Sequence, residues 1–168
     1  ERLGRSANSF DELYSALKAE PTYIDEVLFS LLKDRIETIQ PELFLISVPF
    51  PGNLYSAFRS AQWVRKKHPT IKIAMGGGFP NTELRSISDV RVFDYFDFIT
   101  LDDGELPIEL LHEYLSDTKV ALKRTFLREN NRVVYKNDSS KSDYKQSEVG
   151  TPDYSDLPLD NYISVIEI

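Results

Sequence analysis

The fold is decided by Leu43-Phe44-Leu45-Ile46-Ser47-Val48, which runs directly into Pro49-Phe50-Pro51-Gly52-Asn53. The first stretch is apolar without alternating polar positions, so it predicts a strand that is buried on both faces, as in a parallel sheet. The second stretch is rich in turn residues and predicts the end of that strand. Its last residue, Asn53, is suited to cap the helix that follows.

An alternation of helices and strands follows this first strand. A helix that packs on the sheet and stops at His68-Pro69 is predicted by apolar residues at helical spacing, namely Leu54, Ala57, Phe58, Ala61 and Val64. We then expect a strand over residues 71–75, a short helix over 82–88, a strand within 95–101 and a helix over 106–116. This order predicts a Rossmann-like (flavodoxin-like) α/β fold, with a parallel sheet and right-handed crossovers.

The segment before residue 43 reads as two helices. Ser9-Phe10-Asp11-Glu12 fits a capping box, and Pro21 interrupts the helix that it begins. Thr22 is a second candidate cap, for a helix to about residue 38 with apolar residues at Ile24, Val27, Leu28 and Leu31. Doubly wound sheets normally have about five or more strands, whereas three parallel strands are predicted here. We therefore expect the first strand of the domain to lie upstream of Glu1.

The last third of the chain changes character. Two strand-like stretches flank Asn130-Asn131, which predicts a β-hairpin with a tight turn. Residues 136–150 then contain mostly Ser, Lys, Asp and Asn, which predicts a flexible linker. We accordingly expect a Rossmann-like domain over residues 1–120, a β-hairpin extension over 121–136 and a linker arm over 137–168.

Composition excludes several classes of function. The chain contains no cysteine, which removes disulfides, thiolate metal sites and iron–sulfur clusters from it and favours a cytoplasmic location. The net charge of −7 argues against a nucleic-acid partner, and the short basic run Arg65-Lys66-Lys67-His68 reads as a solvated helix end. No apolar run is long enough to span a membrane, so we expect no membrane partner.

Ligands of open α/β sheets bind beyond the carboxyl ends of the strands, where three loops are predicted to converge. Gly76-Gly77-Gly78 allows the backbone to approach a ligand, although it could equally serve only to turn the chain. It matches neither a dinucleotide fingerprint nor a P-loop. Asp102-Asp103-Gly104-Glu105 could hold magnesium, but a solvated acidic turn is the favoured interpretation.

The other chemistry-bearing residues give no catalytic site. His68 stands at a predicted helix end, and His112 stands within a helix. Neither lies beside a Ser or Asp pattern that indicates a triad. Trp63 lies roughly opposite the apolar stripe of its helix, which favours an exposed ring that either contacts another domain or lies flat on the surface. The chain by itself is therefore expected to carry no catalytic residue.

Three loop motifs together resemble the N-terminal region of cobalamin-dependent-type radical S-adenosylmethionine proteins. They are Val48-Pro49-Phe50-Pro51-Gly52-Asn53, Gly76-Gly77-Gly78-Phe79-Pro80-Asn81-Thr82-Glu83-Leu84 and Asp97-Phe98-Ile99-Thr100-Leu101-Asp102-Asp103-Gly104-Glu105. A tail motif, Pro152-Asp153-Tyr154-Ser155-Asp156-Leu157-Pro158-Leu159, resembles the linker before the radical domain of that family. The resemblance rests on these motifs taken together, since any one of them alone is weak evidence for the family.

This resemblance implies an accessory domain that binds the metal-containing cofactor cobalamin across the strand ends, within a parent protein that is an enzyme. The residues that it assigns to the cofactor are Pro49, Phe50, Pro51, Gly52, Asn53, Gly76, Gly77, Gly78, Phe79, Asn81, Leu101, Asp102, Asp103, Gly104 and Glu105. The Asp-x-His-x-x-Gly motif is absent, so no axial histidine is assigned. The iron–sulfur cluster and S-adenosylmethionine would belong to a radical domain downstream of Ile168, the implied partner in the same chain.

Two other functions stay open at this stage. The domain could be a degenerate scaffold that keeps the fold without a cofactor and docks on the radical domain. It could also be a flavodoxin-like binder of a nucleotide or phosphate, with an anion at the N-terminus of the helix after Gly78. A sheet that lacks its first strand would, in addition, have an unpaired edge through which two copies could dimerise.

Overall fold

The computed structural model describes residues 10–155 and 157–158. Five strands form one sheet: β1 Leu43–Ser47, β2 Lys72–Gly76, β3 Phe98–Thr100, β4 Thr125–Glu129 and β5 Arg132–Lys136. Five α-helices in these residues flank it: α1 Asp11–Lys18, α2 Tyr23–Ile39, α3 Leu54–Lys67, α4 Gly78–Glu83 and α5 Glu105–Ser116. The same described part of the chain contains two 3₁₀ helices, Pro51–Asn53 and Val90–Asp94.

The strands lie side by side in chain order, from β1 to β5. β1, β2 and β3 are parallel, with Leu43 opposite Lys72 and Ala74 opposite Phe98. β4 runs antiparallel to β3, and β5 runs antiparallel to β4. The sheet is therefore mixed and open, and helices flank it, which confirms the Rossmann-like α/β class.

Helices cover both faces of the sheet. One core lies between the sheet and helices α1, α2 and α3, and it includes Phe58, Ile73 and Phe96. The five apolar residues predicted to form the stripe of α3 are all buried in that core. A second core lies under α5 on the other face, where Leu110 and Leu111 are buried. The fold therefore has three layers, with the sheet in the middle.

The predicted hairpin is part of the sheet itself. Asn130 and Asn131 have φ values of 48° and 57°, which is the left-handed geometry that a two-residue type I′ turn requires. β4 also pairs with β3, and Leu127 is buried under α5. The hairpin thus extends the Rossmann-like sheet and shares its core.

An ion pair that joins α1, α2 and α3 fixes the N-terminal helices. The Arg59 guanidinium lies 3.6 Å from the Asp25 carboxylate, and both side chains are almost fully buried. Arg59 also donates to the carbonyl oxygens of Ala16, Leu17 and Ala19 at the end of α1. The buried Arg59 guanidinium therefore binds the C-terminal end of α1 and holds α2 against α3.

The Asp25 carboxylate is held by hydrogen bonds as well as by its ion pair with Arg59. Burial alone would raise its pKa, but hydrogen bonds from Thr22 and Tyr55, together with the charge of Arg59, outweigh that effect and hold the pKa below its ordinary value. Thr22 and Asp25 form a capping box at the start of α2. The predicted cap at Thr22 is thereby confirmed.

Helix α1 begins at Asp11, within the motif that predicts its start, but the capping box itself depends on Ser9, which lies outside the described residues. Two other local predictions were wrong. Asn53 occupies the N-cap position of α3 but makes no side-chain cap bond, because its backbone has helical geometry. The helix expected over residues 82–88 is α4, which begins at Gly78 and ends at Glu83.

Among residues 10–155 and 157–158, every helix is too short or too polar to span a lipid bilayer.

Candidate functional site

The three predicted loops do meet at the carboxyl edge of β1, β2 and β3. The Val48 amide donates to the Gly76 carbonyl at 2.8 Å, and the Phe79 amide donates to the Val48 carbonyl at 2.9 Å. These two bonds extend the β1–β2 ladder past its last paired residues, Ser47 and Gly76. The loop after β1 and the loop after β2 are thus joined along their backbones.

The three consecutive glycines are needed because neighbouring chain segments lie against them. A Cβ atom at Gly76 would lie 2.9 Å from the Thr100 hydroxyl oxygen, and one at Gly78 would lie 2.9 Å from the Pro49 carbonyl oxygen. Gly77 has a φ of +101°, which L-residues rarely adopt. The close approach expected of these glycines is therefore made to the protein's own backbone and to Thr100.

A second joint links the loop after β2 to the loop after β3. The Asp102 amide donates to the Asn81 side-chain oxygen at 2.6 Å, and Arg85 donates to the Asp102 carboxylate. Asp102 has a positive φ of 61°, so its backbone turns sharply at the end of β3. The predicted loop residues Asn81 and Asp102 are thereby brought into direct contact.

Arg124 is a residue at this edge that sequence reasoning missed. Its guanidinium donates to the carbonyl oxygens of Leu101 and Asp103, at 3.3 and 3.0 Å, and pairs with the Asp143 carboxylate. The hydrogen bond to Asp143 raises the pKa of Arg124, against the opposing effect of burial. No motif surrounds Arg124, and only the antiparallel pairing of β4 with β3 places it beside the acidic turn.

Part of the polar stretch after β5 docks beside the same edge. Hydrogen bonds from Arg124 and Lys123 lower the pKa of Asp143 to about 2. They outweigh burial, which would raise that pKa. Lys141 bonds to Glu109 and Glu113 on α5, and Tyr144 donates to Glu109. The linker forms no helix or strand over residues 137–150, but these ion pairs and hydrogen bonds hold it against the domain. Its flexibility stays a prediction.

The residues assigned to the cofactor divide by exposure. Phe50 is 70% exposed, and the other residues of its loop from Pro49 to Asn53 are exposed as well. The side chains of Phe79 and Leu101 are buried in the main core, so they support the edge from below. Asp102, Asp103 and Glu105 are exposed. The surface open to a ligand consists of the loop around Phe50 and the acidic turn.

Histidines and metal-binding clusters do not contribute to this edge. Within the part of the chain that the structure describes, no group of three or more His, Cys, Asp or Glu side chains is arranged to hold a metal ion. His68 ends α3 beside Trp63, and His112 lies exposed on α5.

Trp63 and Asp97 have structural surroundings. Trp63 is partly buried and stacks on Phe29 of α2, with ring centroids 6.2 Å apart, so the expectation of an exposed ring was wrong. Asp97 precedes β3, at the opposite end of the sheet from the three loops. It bonds to Arg65 at 2.8 Å and accepts from the Ile73 amide at 2.9 Å. The first residue of the third motif therefore joins strands and does not contact the candidate site.

Fold and edge together define an open-sheet α/β domain of the Rossmann-like type, with a loop platform at the carboxyl ends of its parallel strands. No protein-family model matches the sequence, and a search of curated proteins finds no match. The family resemblance in the three motifs therefore stays a prediction.

The residues at this edge suit one of the two ways in which a protein can hold cobalamin, and not the other. The loop from Pro49 to Asn53 is exposed and includes the Phe50 ring, and the turn after Leu101 exposes Asp102, Asp103 and Glu105, but neither loop contains an imidazole. These residues fit a corrinoid held by backbone contacts and ring packing. They do not fit one whose cobalt takes a protein histidine as its axial ligand.

Proposed function

We propose that this chain is the cobalamin-binding-type accessory domain of a radical S-adenosylmethionine enzyme. It carries no catalytic group of its own and presents the loop platform to a cofactor or to the catalytic domain. The single observation that supports this most is the convergence of all three motif loops on one edge, joined by the Val48–Phe79 and Asn81–Asp102 hydrogen bonds.

The platform is suited to a large planar ligand more than to a small buried one. Phe50 projects an exposed ring, and the adjacent Gly52 has no atom within 4 Å of the position its Cβ would occupy. Burial of such a ring is worth about 1.5–3 kcal/mol. A corrin face packed on Phe50 would use that surface.

Titration of hydroxocobalamin into the purified chain, followed by visible absorbance and gel filtration, tests the proposal. We expect a saturable shift of the visible bands and co-elution of corrinoid with the chain. An unchanged spectrum, with corrinoid eluting separately from folded chain, would contradict cofactor binding.

A degenerate scaffold is the second candidate, and the glycine packing favours it. Gly76, Gly77 and Gly78 are explained by contacts within the chain, so a cofactor is not needed to account for them. This role predicts that Phe50→Ala leaves the activity of the parent enzyme unchanged. A large loss of activity in a stably folded Phe50→Ala enzyme would count against the scaffold.

The flavodoxin-like alternative gains no support from the same region. The Phe79 amide, in the first turn of α4, donates to the Val48 carbonyl, and the Asn81 amide donates to the Gly77 carbonyl. Those two amides are therefore not free to bind a phosphate. We further propose a cytoplasmic location for the parent enzyme, based on the absence of cysteine from this chain.

A further inference from the structure

Arg124 holds the acidic turn, and Leu101 before it, through both its main chain and its side chain. Its carbonyl oxygen accepts from the Leu101 amide at 2.9 Å, and its guanidinium donates to the carbonyl oxygens of Leu101 and Asp103. The Arg124 side chain is only 13% exposed, so these bonds are largely shielded from water, which strengthens them. The geometry of the acidic turn therefore depends on where Arg124 lies.

The backbone of this contact has unusual geometry on both strands. Arg124 has a φ of 47° and Asp102 has a φ of 61°, in the left-handed region that residues other than glycine rarely adopt. Such geometry persists where the surrounding contacts hold it. The Arg124 carbonyl is held by Leu101, and the Arg124 amide donates to the side-chain oxygen of Asn137 at 3.3 Å. Asn137 is the first residue of the linker, so the linker helps to hold the Arg124 backbone.

The linker also orients the Arg124 guanidinium. The two oxygens of the Asp143 carboxylate pair with the two terminal nitrogens of Arg124, at 2.9 and 2.7 Å. A two-bond pair of this kind fixes the plane of the guanidinium and is stronger than a single contact. The Asp102 carboxylate lies farther away, at 3.9 Å from Arg124 Nε. The docked linker and the acidic turn are thus held by the same side chain.

Other anchors of the linker lie on α5. Lys141 bonds to Glu109 and Glu113, and Tyr144 donates to Glu109. These side chains are about half-exposed, and ion pairs in that setting are weak. Among the contacts of the described residues, the α5 anchors reach neither Arg124 nor the acidic turn. The linker therefore has two kinds of anchor, of which the one at Arg124 also contacts the candidate site.

We propose that Arg124 is a positioning residue that couples linker docking to the candidate site. With Asp143 bound, Arg124 holds the acidic turn in the geometry that a ligand of the loop platform meets; with the linker released, the turn loosens. Coupling between two sites is reciprocal, so a ligand that binds the ordered turn also favours the docked linker. This ligand-dependent part rests on the proposed function, whereas the contact of linker and turn through Arg124 does not.

Hydrogen exchange of the full 168-residue chain, without ligand, tests the contact of linker and turn. The Leu101 and Asp102 amides should exchange about threefold faster or more in Asp143→Asn, and also in Arg124→Lys, which cannot form the two-bond pair. Lys141→Ala is the matched control, because it removes an anchor on α5 alone, and its turn amides should keep the wild-type rate. Unchanged turn amides in Asp143→Asn, or an equal acceleration in Lys141→Ala, would overturn the proposal.

Trypsin cleavage with hydroxocobalamin as the probe tests the reciprocal effect. Saturating hydroxocobalamin should slow cleavage of wild type after Lys141 and Lys145 by about fivefold or more, and the Kd of Asp143→Asn should rise by the same factor. Cleavage of Asp143→Asn should be unaffected by the probe. Equal protection of both proteins, or an equal Kd, would overturn the coupling. If hydroxocobalamin does not bind wild type, the proposed function fails, while the exchange comparison still decides the Arg124 contact.

Discussion

Gly77 packs so tightly against Val48 that a Cβ atom on Gly77 would lie 2.9 Å from both the amide nitrogen and the carbonyl oxygen of Val48. The two residues belong to different loops, which they hold together at the carboxyl edge of the sheet. Gly77 also has a φ of 101° and a ψ of −174°, a region that is almost exclusive to glycine. The glycine loop is therefore a structural joint, and a cofactor would bind on the surface that this joint supports.

Replacement of this glycine should destabilise the domain. We expect Gly77→Ala to lower the free energy of unfolding by at least about 2 kcal/mol, because the backbone strain and the contacts with Val48 add. Gly52→Ala is the matched control, since its added methyl would meet no atom within 4 Å. Urea denaturation of both variants checks this, and a Gly77→Ala midpoint equal to that of Gly52→Ala would refute the account of the joint.

The buried ion pair should make stability depend on pH at the acid end. Asp25→Asn should cost about 3 kcal/mol at pH 7, because it leaves the buried charge of Arg59 without its partner. The pKa of Asp25 is lowered in the fold, so its contribution is complete above the unfolded value of about 3.9 and is lost as pH falls through the folded value. The stability of wild type should thus begin to approach that of the variant below about pH 4, and the two should converge only below the folded pKa of Asp25.

Denaturation curves at several pH values test that convergence. Asp103→Asn, at an exposed position, serves as the control and should stay within about 0.5 kcal/mol of wild type. A constant difference between wild type and Asp25→Asn from pH 7 to the acid limit would show that the ionised carboxylate is not what stabilises the three helices.

The linker should be released when its anchor is removed. Asp143→Asn weakens the contact with Arg124 and Lys123, so trypsin should cleave after Lys141 and Lys145 several-fold faster at neutral pH. In wild type the pKa of Asp143 is about 2, so the contact should persist as the pH is lowered and be lost only as pH falls through that value. Ser147→Ala is the control, and equal cleavage rates in all three proteins would contradict the anchor.

The hairpin turn offers a prediction in the stabilising direction. Asn131 has a φ of 57°, and the second position of a type I′ turn favours glycine over every other residue. Asn131→Gly should therefore keep or raise the thermal midpoint, whereas Asn131→Val should lower stability by about 1–2 kcal/mol. Thermal unfolding of both variants measures this, and an unaffected Asn131→Val protein would show that the hairpin does not depend on this turn.

Local signals predicted most of the fold. The continuous apolar run of β1, the stripe of α3 and the Asn130-Asn131 turn each act within a few residues, so the sequence alone was sufficient to place them. The alternation of strands and helices then implied parallel β1, β2 and β3. The position of the three loops at one edge followed from that topology.

The errors arose where distant contacts override local preference. α4 begins at Gly78, before the start expected at Thr82, and the amide of Phe79 in its first turn donates to the distant Val48 carbonyl. Arg59 lies within an apolar stripe, and its burial depends on carbonyls more than 40 residues away. Arg124 reaches the edge only because β4 pairs with β3. None of these contacts leaves a pattern in the sequence.

The measurement that tests the central claim most directly is the hydroxocobalamin titration, run in parallel on wild type, Phe50→Ala and Tyr135→Ala. Phe50 and Tyr135 are both exposed aromatics, but Tyr135 lies on β5, away from the loop platform. We expect wild type and Tyr135→Ala to bind with the same Kd, and Phe50→Ala to bind about tenfold more weakly with an unchanged thermal midpoint. No spectral change in wild type, or equal affinity in all three proteins, would contradict a corrinoid site on the Phe50 platform.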